Sequence, residues 1–285
     1  MRFTKMHGLG NDYIYVNGFE EEVADPAQLA RAMSDRHFGV GADGLVLILP
    51  SQKADLRMRI FNADGSEAQI CGNALRCVGK YAYERGLVPR PALTVETLAG
   101  VREVVLLLDG GRVTGARVDM GAPRLRRREI PMVGPEDETA IEVEVPAGGR
   151  SFTVTAVSMG NPHAVVFVPA VEEVPLSQWG PLLEHHPFFP ERTNVEFCQV
   201  INPTRLRVRV WERGSGETLA CGSGACAVLV AAALTGRAER QAEVILPGGS
   251  LQIEWSGDGR VLMSGPATEV FQGEWPTSPT TGGRP

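Results

Sequence analysis

Two cysteines at equivalent points of an internal repeat are the residues of this chain best suited to chemistry. Cys71 is followed by Gly72, and Cys221, at an offset of 150 residues, is followed by Gly222. The pattern predicts that each cysteine stands at the N-terminus of a helix, where free backbone N–H groups and the helix dipole favour an anion. We therefore expect a lowered pKa for each thiol, and N–H groups able to hold a substrate carboxylate.

The repeat extends well beyond the cysteines. Residues 56–61 return as residues 206–211, and the same offset aligns positions between 10 and 86 with positions between 160 and 236. A register held over that length predicts two homologous lobes. Two such lobes can present two cysteines to opposite faces of one carbon, so that one removes a proton and the other returns one. The main alternative is a redox-sensing pair, because facing thiolates can also form a disulfide.

The elements that position these cysteines can be read from the hydrophobic pattern. Helices are expected over about residues 72–85 and 222–234, each ended by a glycine. The second helix is apolar or small almost throughout and should be buried inside its lobe, whereas Arg76, Lys80 and Glu84 should give the first helix one wet face. Cys77 and Cys226, inside these helices, are expected to be small core residues.

Outside these helices, short strand-like segments predominate, and two further helices are expected, over about residues 26–37 and 176–186. Glycine, proline and arginine accumulate where the first lobe should end. The predicted division places the N-terminal lobe at 1–118, completed by about 264–275, the C-terminal lobe at 119–263, and a disordered tail at 276–285.

Composition narrows the class of protein. The net charge of −6 argues against nucleic-acid binding, and no apolar run is long enough to span a bilayer. The N-terminal sequence lacks the apolar stretch of a signal peptide. Five cysteines, an odd number, favour free thiols in a reducing cytoplasm. Their spacings include no CxxC, so no metal site is expected.

Polar residues that could recognise a substrate lie in turns. Asn11 and Asn161 are repeat partners, which favours a shared role over ordinary turn chemistry, the more common reading for Asn62 and Asn194. Glu212-Arg213 replaces Asn62-Ala63 in the second copy and could clamp an ammonium and a carboxylate, the alternative being a surface ion pair. His163 follows Asn161-Pro162 and could tune a nearby thiol.

Features of common cofactor sites are not apparent. The chain contains no glycine-rich phosphate loop, and none of its three lysines, Lys5, Lys53 and Lys80, is an obvious partner for pyridoxal phosphate. The sequence is consistent with chemistry that uses no cofactor.

Several motifs together resemble one known family, diaminopimelate epimerase. They are MHGLGND at 6–12, FNADGSEAQICGN at 61–73, GNPH at 160–163, RTNVEF at 192–197 and WERGSGETLACGSGACA at 211–227. They occur in the family's order, the last is highly specific, and the resemblance covers roughly residues 1–275.

The resemblance implies an α+β fold of two pseudo-symmetric lobes, each a central helix wrapped by mostly antiparallel strands, with the active site between them. It also implies interconversion of LL- and meso-2,6-diaminopimelate, on the route to lysine and peptidoglycan, without pyridoxal phosphate or metal. No nucleic-acid or membrane partner is expected. A homodimer is a fair expectation because two-fold dimers are the commonest oligomers.

The resemblance also implies roles for individual residues. Cys71 and Cys221 are the acid–base pair. The carboxylate at the reacting centre is held by Gly72, Asn73, Gly222 and Ser223. The rest of the substrate is recognised by Asn11, Asn62, Asn161, Asn194 and Arg213. Glu212 binds substrate and tunes the cysteines, and His163 is a second tuning residue.

The chain departs from the family pattern at two positions, one a substrate contact and one inside the first helix, and neither change removes a catalytic group. Gly44 stands where many members carry glutamine, which puts one side-chain contact in doubt, and Ala74 replaces a common glycine.

Other functions remain open at this point. One alternative is a two-cysteine racemase or epimerase for proline, hydroxyproline, glutamate or histidine derivatives. Four asparagines and Arg213 suit a long, doubly charged substrate, which disfavours proline. A phenazine-type isomerase of the same fold is disfavoured because it lacks the cysteine pair. A non-catalytic binding or redox-sensing protein would exchange no α-proton.

Overall fold

The computed structural model describes residues 1–276, which form two lobes with the same order of elements. The predicted tail at 276–285 lies outside the described residues except for Pro276. The first lobe contains β1 (Arg2–Gly8), β2 (Asn11–Asn17), α1 (Pro26–Ser34), β3 (Gly44–Leu49), β4 (Leu56–Asn62), β5 (Glu67–Ala68), α2 (Gly72–Glu84), β6 (Ala92–Thr97), β7 (Gly100–Asp109) and β8 (Arg112–Gly121).

The second lobe begins with one additional strand and then repeats this order, and one more strand follows it. It contains β9 (Val143–Ala147), β10 (Arg150–Ser158), β11 (Pro162–Phe167), α3 (Leu176–Glu184), β12 (Asn194–Asn202), β13 (Arg205–Glu212), β14 (Gly216–Thr218), α4 (Gly222–Leu234), β15 (Gln241–Leu246), β16 (Gly249–Trp255) and β17 (Val261–Pro266), and the last strand is β18 (Thr268–Glu274).

The strands pair in equivalent ways in the two lobes. β2 and β3 are parallel, as are β11 and β12, and so are β4 with β6 and β13 with β15; the other pairs are antiparallel. β18 returns to pair with β1, just as β9 pairs with β10. β8 pairs with β17, which joins the lobes through one continuous ladder. This is the α+β fold expected, and the β18–β1 pairing favours the proposed assignment of the chain's end to the first lobe.

Each lobe wraps its strands around one central helix. α4 is buried on all sides, as predicted: of its thirteen residues only Ser223, Ala233 and Leu234 are partly exposed. Cys77 and Cys226 are fully buried in the core that surrounds α2 and α4. α1 and α3 lie outside the strands, each over its own apolar cluster. Among residues 1–276, no helix combines the length and apolar character needed to cross a membrane.

The predicted wet face of α2 is partly wrong. Lys80 and Glu84 are partly or fully exposed and pair with each other at 2.7 Å, but Arg76 has no exposed surface. Its guanidinium donates to the Asn73 Oδ1 at 2.8 Å and to the Pro266 carbonyl at 3.0 Å. A charged side chain can be buried when its N–H groups are satisfied in this way, and sequence periodicity cannot reveal those partners.

The helix boundaries follow local chemistry. Asp25 caps α1 by accepting from the Gln28 N–H, as expected. α1 ends at Ser34, earlier than predicted, because the Asp35 carboxylate accepts from the N–H groups of His37 and Phe38 at 2.7 and 2.8 Å and turns the chain. α3 likewise ends at Glu184, two residues before the predicted end.

Candidate active site

The N-termini of α2 and α4 meet where the lobes face each other. Cys71 and Cys221 are the N-cap residues of these helices, with extended backbone. Met263 lies against both starts: a methyl group on Gly72 would be 2.4 Å from its Cε, and one on Gly222 would be 3.0 Å from its Sδ. The repeat-equivalent cysteines are therefore brought to one place, and a side chain at either glycine would have to displace Met263.

Each cysteine sulfur accepts a hydrogen bond from the first turn of its own helix. The Ala74 N–H reaches the Cys71 Sγ at 3.5 Å, and the Gly224 N–H reaches the Cys221 Sγ at 3.4 Å. The Cys221 Sγ also lies 3.5 Å from the Ser223 hydroxyl. The helix N-termini thus present donors toward the sulfurs, as the sequence predicted.

The prediction of a lowered pKa for each thiol is wrong. Burial raises the pKa of Cys71, against the opposing effects of the Ala74 and Asn73 N–H groups and the positive charge of Arg76. Burial raises the pKa of Cys221 further, and the carboxylates of Glu212 and Glu196 add to it. Removal from water outweighs the helix N-terminus here, so both thiols favour the protonated form.

In the first lobe, Asn11 connects Cys71 to a charged network. Its Oδ1 accepts from the Cys71 thiol at 3.4 Å and from the Asn73 Nδ2 at 3.2 Å. Its Nδ2 donates to the Asp43 Oδ2 at 2.9 Å, and the other oxygen of Asp43 is 2.9 Å from the Arg36 guanidinium. Asp43 therefore fixes the Asn11 amide with its oxygen toward the cysteine.

In the second lobe, Asn161 is held by a different device. The His163 Nε2 lies 3.0 Å from the Asn161 Oδ1, and its Nδ1 lies 2.7 Å from the Glu196 Oε1. The side chains of His163 and Glu196 have no exposed surface. Glu196 also lies close to the cysteine helix, since a methyl group on Gly224 would be 2.7 Å from its Oε1 and 3.3 Å from the Cys221 Sγ.

Glu212 and Arg213 are adjacent in sequence but point to different partners. The Glu212 Oε1 accepts from the Thr218 hydroxyl at 2.5 Å, and burial raises the pKa of its carboxyl. Its charge acts on both Cys71 and Cys221. Arg213 is exposed and its guanidinium donates to the Glu191 carbonyl at 3.0 Å. The ion pairs among residues 1–276 do not include Glu212 with Arg213, so the alternative of a surface ion pair is wrong.

The other two predicted asparagines are engaged by nearby groups. The Asn62 Nδ2 donates to the Ser66 hydroxyl at 3.0 Å, which is turn chemistry. Asn194 is nearly buried; its Nδ2 donates to the Pro162 carbonyl at 2.8 Å and its Oδ1 accepts from the Arg213 N–H at 2.9 Å. Asn194 thereby joins the GNPH turn to the segment that carries Arg213.

The structure gives a steric reason for glycine at position 44, where many members of the resembled family carry glutamine. A methyl group on Gly44 would be 2.1 Å from the Phe61 carbonyl oxygen and 2.9 Å from the Tyr13 ring. Strand β3 therefore lies too close to β4 and β2 at this point for any side chain, and a glutamine here would require backbone movement.

Three buried or half-buried charged residues near the cysteines escaped sequence reasoning: Asp43, Arg76 and Glu196. Glu196 lies between apolar residues in a strand whose hydrophobic pattern is ordinary, and Asp43 lies in a glycine-rich turn. One signal was available for Glu196, whose repeat partner is the apolar Val46. An acid that replaces an apolar residue at a buried position of a repeat indicates a specific partner.

No group of three or more His, Cys, Asp or Glu side chains within residues 1–276 has the arrangement of a metal site, and the five cysteines are free thiols.

A separate cavity of about 490 Å³ lies against β1, β18 and the end of α2, away from both cysteines. Arg2, in its wall, pairs with Glu20 at 2.6 Å.

The fold places the protein in a class of two-lobed proteins. The structure matches that of a probable proline racemase from Agrobacterium radiobacter, with a TM-score of 0.70 and 17% identity over 99% of this chain and 94% of that one. It also matches a phenazine biosynthesis protein from Bacillus anthracis, with a TM-score of 0.68 and 16% identity over 95% and 97% of the two chains. At these identities the likeness shows the fold alone.

Sequence similarity identifies the family. The family model described as diaminopimelate epimerase matches residues 3–126 and 155–270. A diaminopimelate epimerase from Desulforudis audaxviator is 61% identical over 96% of this chain and 99% of its own length, and one from Desulfovibrio desulfuricans is 55% identical over 96% and 98%. The chain belongs to the diaminopimelate epimerase family.

Proposed function

We propose that this protein is a diaminopimelate epimerase that interconverts LL- and meso-2,6-diaminopimelate with Cys71 and Cys221 as the acid–base pair. The observation that carries the mechanism is the meeting of two repeat-equivalent cysteines, each an N-cap residue, at one point between the lobes. Family membership supports the activity, and the resemblance to the family together with the geometry of the site supports the residue roles.

The reaction requires that the two cysteines share one proton, so that one sulfur is a thiolate and the other is a thiol. A thiolate at one cysteine takes the α-proton, and the S–H of the other cysteine delivers a proton to the opposite face of the same carbon. The Cα–H bond breaks, the new Cα–H bond forms with inverted configuration, and the pair ends with its single proton on the other sulfur. Reversal uses the same residues in exchanged roles.

Charge that develops at the α-carbon spreads onto the neighbouring carboxylate. In our proposal the first-turn residues Gly72 and Asn73, with Gly222 and Ser223, hold that carboxylate, because a helix N-terminus directs N–H groups and the positive end of its dipole toward an anion. Donors fixed before the reaction stabilise the developing charge without reorganisation.

The distal end of the substrate is assigned to side chains that surround the cysteines. Asn11 and Asn161 flank them from the two lobes, and Glu212, close to both thiols, supplies a carboxylate for an ammonium group. Arg213, whose guanidinium is exposed, supplies a cation for the distal carboxylate. In this proposal Asn62 and Asn194 complete the distal contacts, Asn194 also by holding the Arg213 backbone.

The proposal extends to the setting of the enzyme. Five free cysteines in the described structure favour a reducing compartment, and we place the protein in the cytoplasm. We assign it a homodimeric state, which light scattering of the purified protein tests directly.

The test is incubation of the protein with LL-diaminopimelate in D₂O under reducing conditions. Deuterium at one α-carbon, together with meso product, is expected, and both should disappear in Cys71→Ala and Cys221→Ala. Cys226→Ala is the matched control, since Cys226 is buried inside α4 and should be dispensable for exchange.

Absence of exchange in the folded wild type would remove the proposed function. Exchange that persists in either Cys71→Ala or Cys221→Ala would keep an epimerase but refute the assigned pair. Faster exchange with proline or glutamate than with diaminopimelate would leave the mechanism and change the substrate.

A further inference from the structure

Glu196 is a buried acid near the cysteines whose role the reaction described above does not assign. It lies on β12 with no exposed surface. Its Oε1 is 2.7 Å from the His163 Nδ1, and its Oε2 is buried with no hydrogen-bond partner among residues 1–276. Burying an unpaired carboxylate away from water costs roughly several kcal/mol. Glu196 therefore requires His163 as its partner.

The geometry fixes how many protons the pair holds. Both ring nitrogens of His163 face oxygen atoms, the Glu196 Oε1 on one side and the Asn161 Oδ1 on the other. An amide oxygen only accepts, so the Nε2 carries a hydrogen. A second hydrogen then joins the His163 Nδ1 to the Glu196 Oε1.

The two lobes therefore orient their equivalent asparagines in opposite directions. In the first lobe Tyr13 and Val46 occupy the positions of His163 and Glu196, and the Asn11 Nδ2 is taken by Asp43. The Asn11 oxygen is the end left toward Cys71. In the second lobe the Asn161 oxygen is taken by His163, and its Nδ2 is the end left for a ligand.

We propose that Glu196 is a positioning residue for the epimerisation: by holding His163 with a hydrogen on Nε2, it fixes Asn161 as a hydrogen-bond donor toward the substrate. Without Glu196, the hydrogen of a neutral His163 can move to Nδ1. The bare Nε2 then accepts from the Asn161 Nδ2, the amide rotates by half a turn, and the oxygen now presented repels a substrate carboxylate.

The inference rests on the proposed function, and Glu196→Val tests it, since valine is the residue of the first lobe at this position. We expect kcat/KM to fall about 10-fold to 100-fold, as an unpaired buried group implies, with the loss carried by KM. Glu196→Gln should restore KM to within about threefold of wild type, because its amide can donate to the Nδ1 and keep the hydrogen on Nε2.

A double-mutant cycle separates positioning from general damage. The dissociation constant of meso-diaminopimelate is measured by calorimetry in the Cys221→Ala background, so that no turnover is needed. Asn161→Ala should weaken binding, and adding Glu196→Val to it should weaken binding no further, because both changes remove one interaction. Cys198→Ala is the control: it removes a buried side chain from the same strand and should leave the dissociation constant unchanged.

Several outcomes would overturn the inference. One is a Glu196→Val loss confined to kcat and matched by a smaller folded fraction in thermal unfolding. Another is a Glu196→Val effect on binding that persists at full size beside Asn161→Ala. A third is no rescue by Glu196→Gln. Failure of the wild type itself to exchange α-deuterium would instead remove the proposed function, which distinguishes the two failures.

Discussion

Cys71 and Cys221 are equivalent in the repeat but differ in electrostatic surroundings. Cys71 is partly exposed and feels the positive charge of Arg76, whereas Cys221 is buried and feels the negative charges of Glu212 and Glu196. Both pKa values are raised by burial, but the negative neighbours raise the pKa of Cys221 more. A reaction that passes one proton between two sulfurs therefore begins with the acid form favoured at Cys221.

This asymmetry predicts selective alkylation. Iodoacetamide reacts with thiolate, so a raised pKa slows the reaction, and the rate rises about tenfold per pH unit below the pKa. In the free protein near neutral pH, Cys71 should be modified faster than Cys221, because its pKa is raised less. Peptide mass spectrometry over time measures both rates, and both should increase with pH.

Glu212→Gln provides the control for that experiment. Loss of this carboxylate lowers the pKa of Cys221, so the alkylation of Cys221 should accelerate more than that of Cys71. Faster modification of Cys221 than of Cys71 in the wild type would contradict the assigned asymmetry.

The sequence predicted the catalytic candidates of this site better than the residues that hold them. Cys71 and Cys221, like Asn11 and Asn161, stand out because a repeat preserves them. Asp43 orients Asn11, whereas His163 and Glu196 orient Asn161. These orienting residues differ between the two copies, so the repeat does not reveal them. Whether Glu196 contacts His163 depends on how β11 and β12 pair, with His163 opposite Asn194, and a linear pattern does not contain that register.

At the scale of elements, the helices were predicted well because their signals are local. α2 and α4 begin after their cysteines and end just before Gly86 and Gly236, which adopt φ of +72° and +68°. β9 and β18 were not identified individually. Most of β18 is at least partly exposed, and its pairing with β1 joins residues as far apart as Arg2 and Glu274, so neither alternation nor proximity in sequence could reveal it.

Two glycines in the central helices lead to a paired prediction. A methyl group on Gly224 would lie 2.7 Å from the Glu196 Oε1, and one on Gly79 would lie 2.8 Å from the Val104 side chain. Alanine gains about 1 kcal/mol of helix propensity but overpacking costs about 1–3 kcal/mol, so Gly224→Ala and Gly79→Ala should both be neutral to modestly destabilising in urea unfolding.

Only Gly224→Ala should also impair the reaction. It displaces Glu196 and crowds the Cys221 Sγ, whereas Gly79 packs against β7 far along the helix. At a temperature where both variants are folded, we expect kcat/KM to fall about tenfold or more for Gly224→Ala, by the loss of one aligned hydrogen bond, and to stay near wild type for Gly79→Ala. Equal losses in both would mean that helix packing, not the Glu196 contact, controls activity.

At the scale of the molecule, one ladder of strands runs through both lobes and crosses between them at β8 and β17. The repeat predicted the two lobes, because each copy of the repeat contains the central helix of one lobe. It could not predict how the chain closes. β18 follows β17 directly and pairs with β1, so the first and the last described strands are neighbours.

This closure predicts that β18 is part of the folding unit of the first lobe. β1 lies between β18 and β2, Phe3 packs on Phe271 with ring centroids 6.0 Å apart, and the Met1 ammonium donates to the Trp275 carbonyl at 2.9 Å. A chain ending at Ala267 lacks the whole ladder with β1 and exposes the buried Phe3. Compared with a chain ending at Pro276, its free energy of unfolding in urea should be lower by more than about 3 kcal/mol, since a paired strand and a core aromatic are both lost. The α-deuterium exchange should fall with it, because β1 leads directly into Asn11. Equal stability of the two chains would mean that the first lobe is complete without β18, and the proposed lobe boundaries would have to be redrawn.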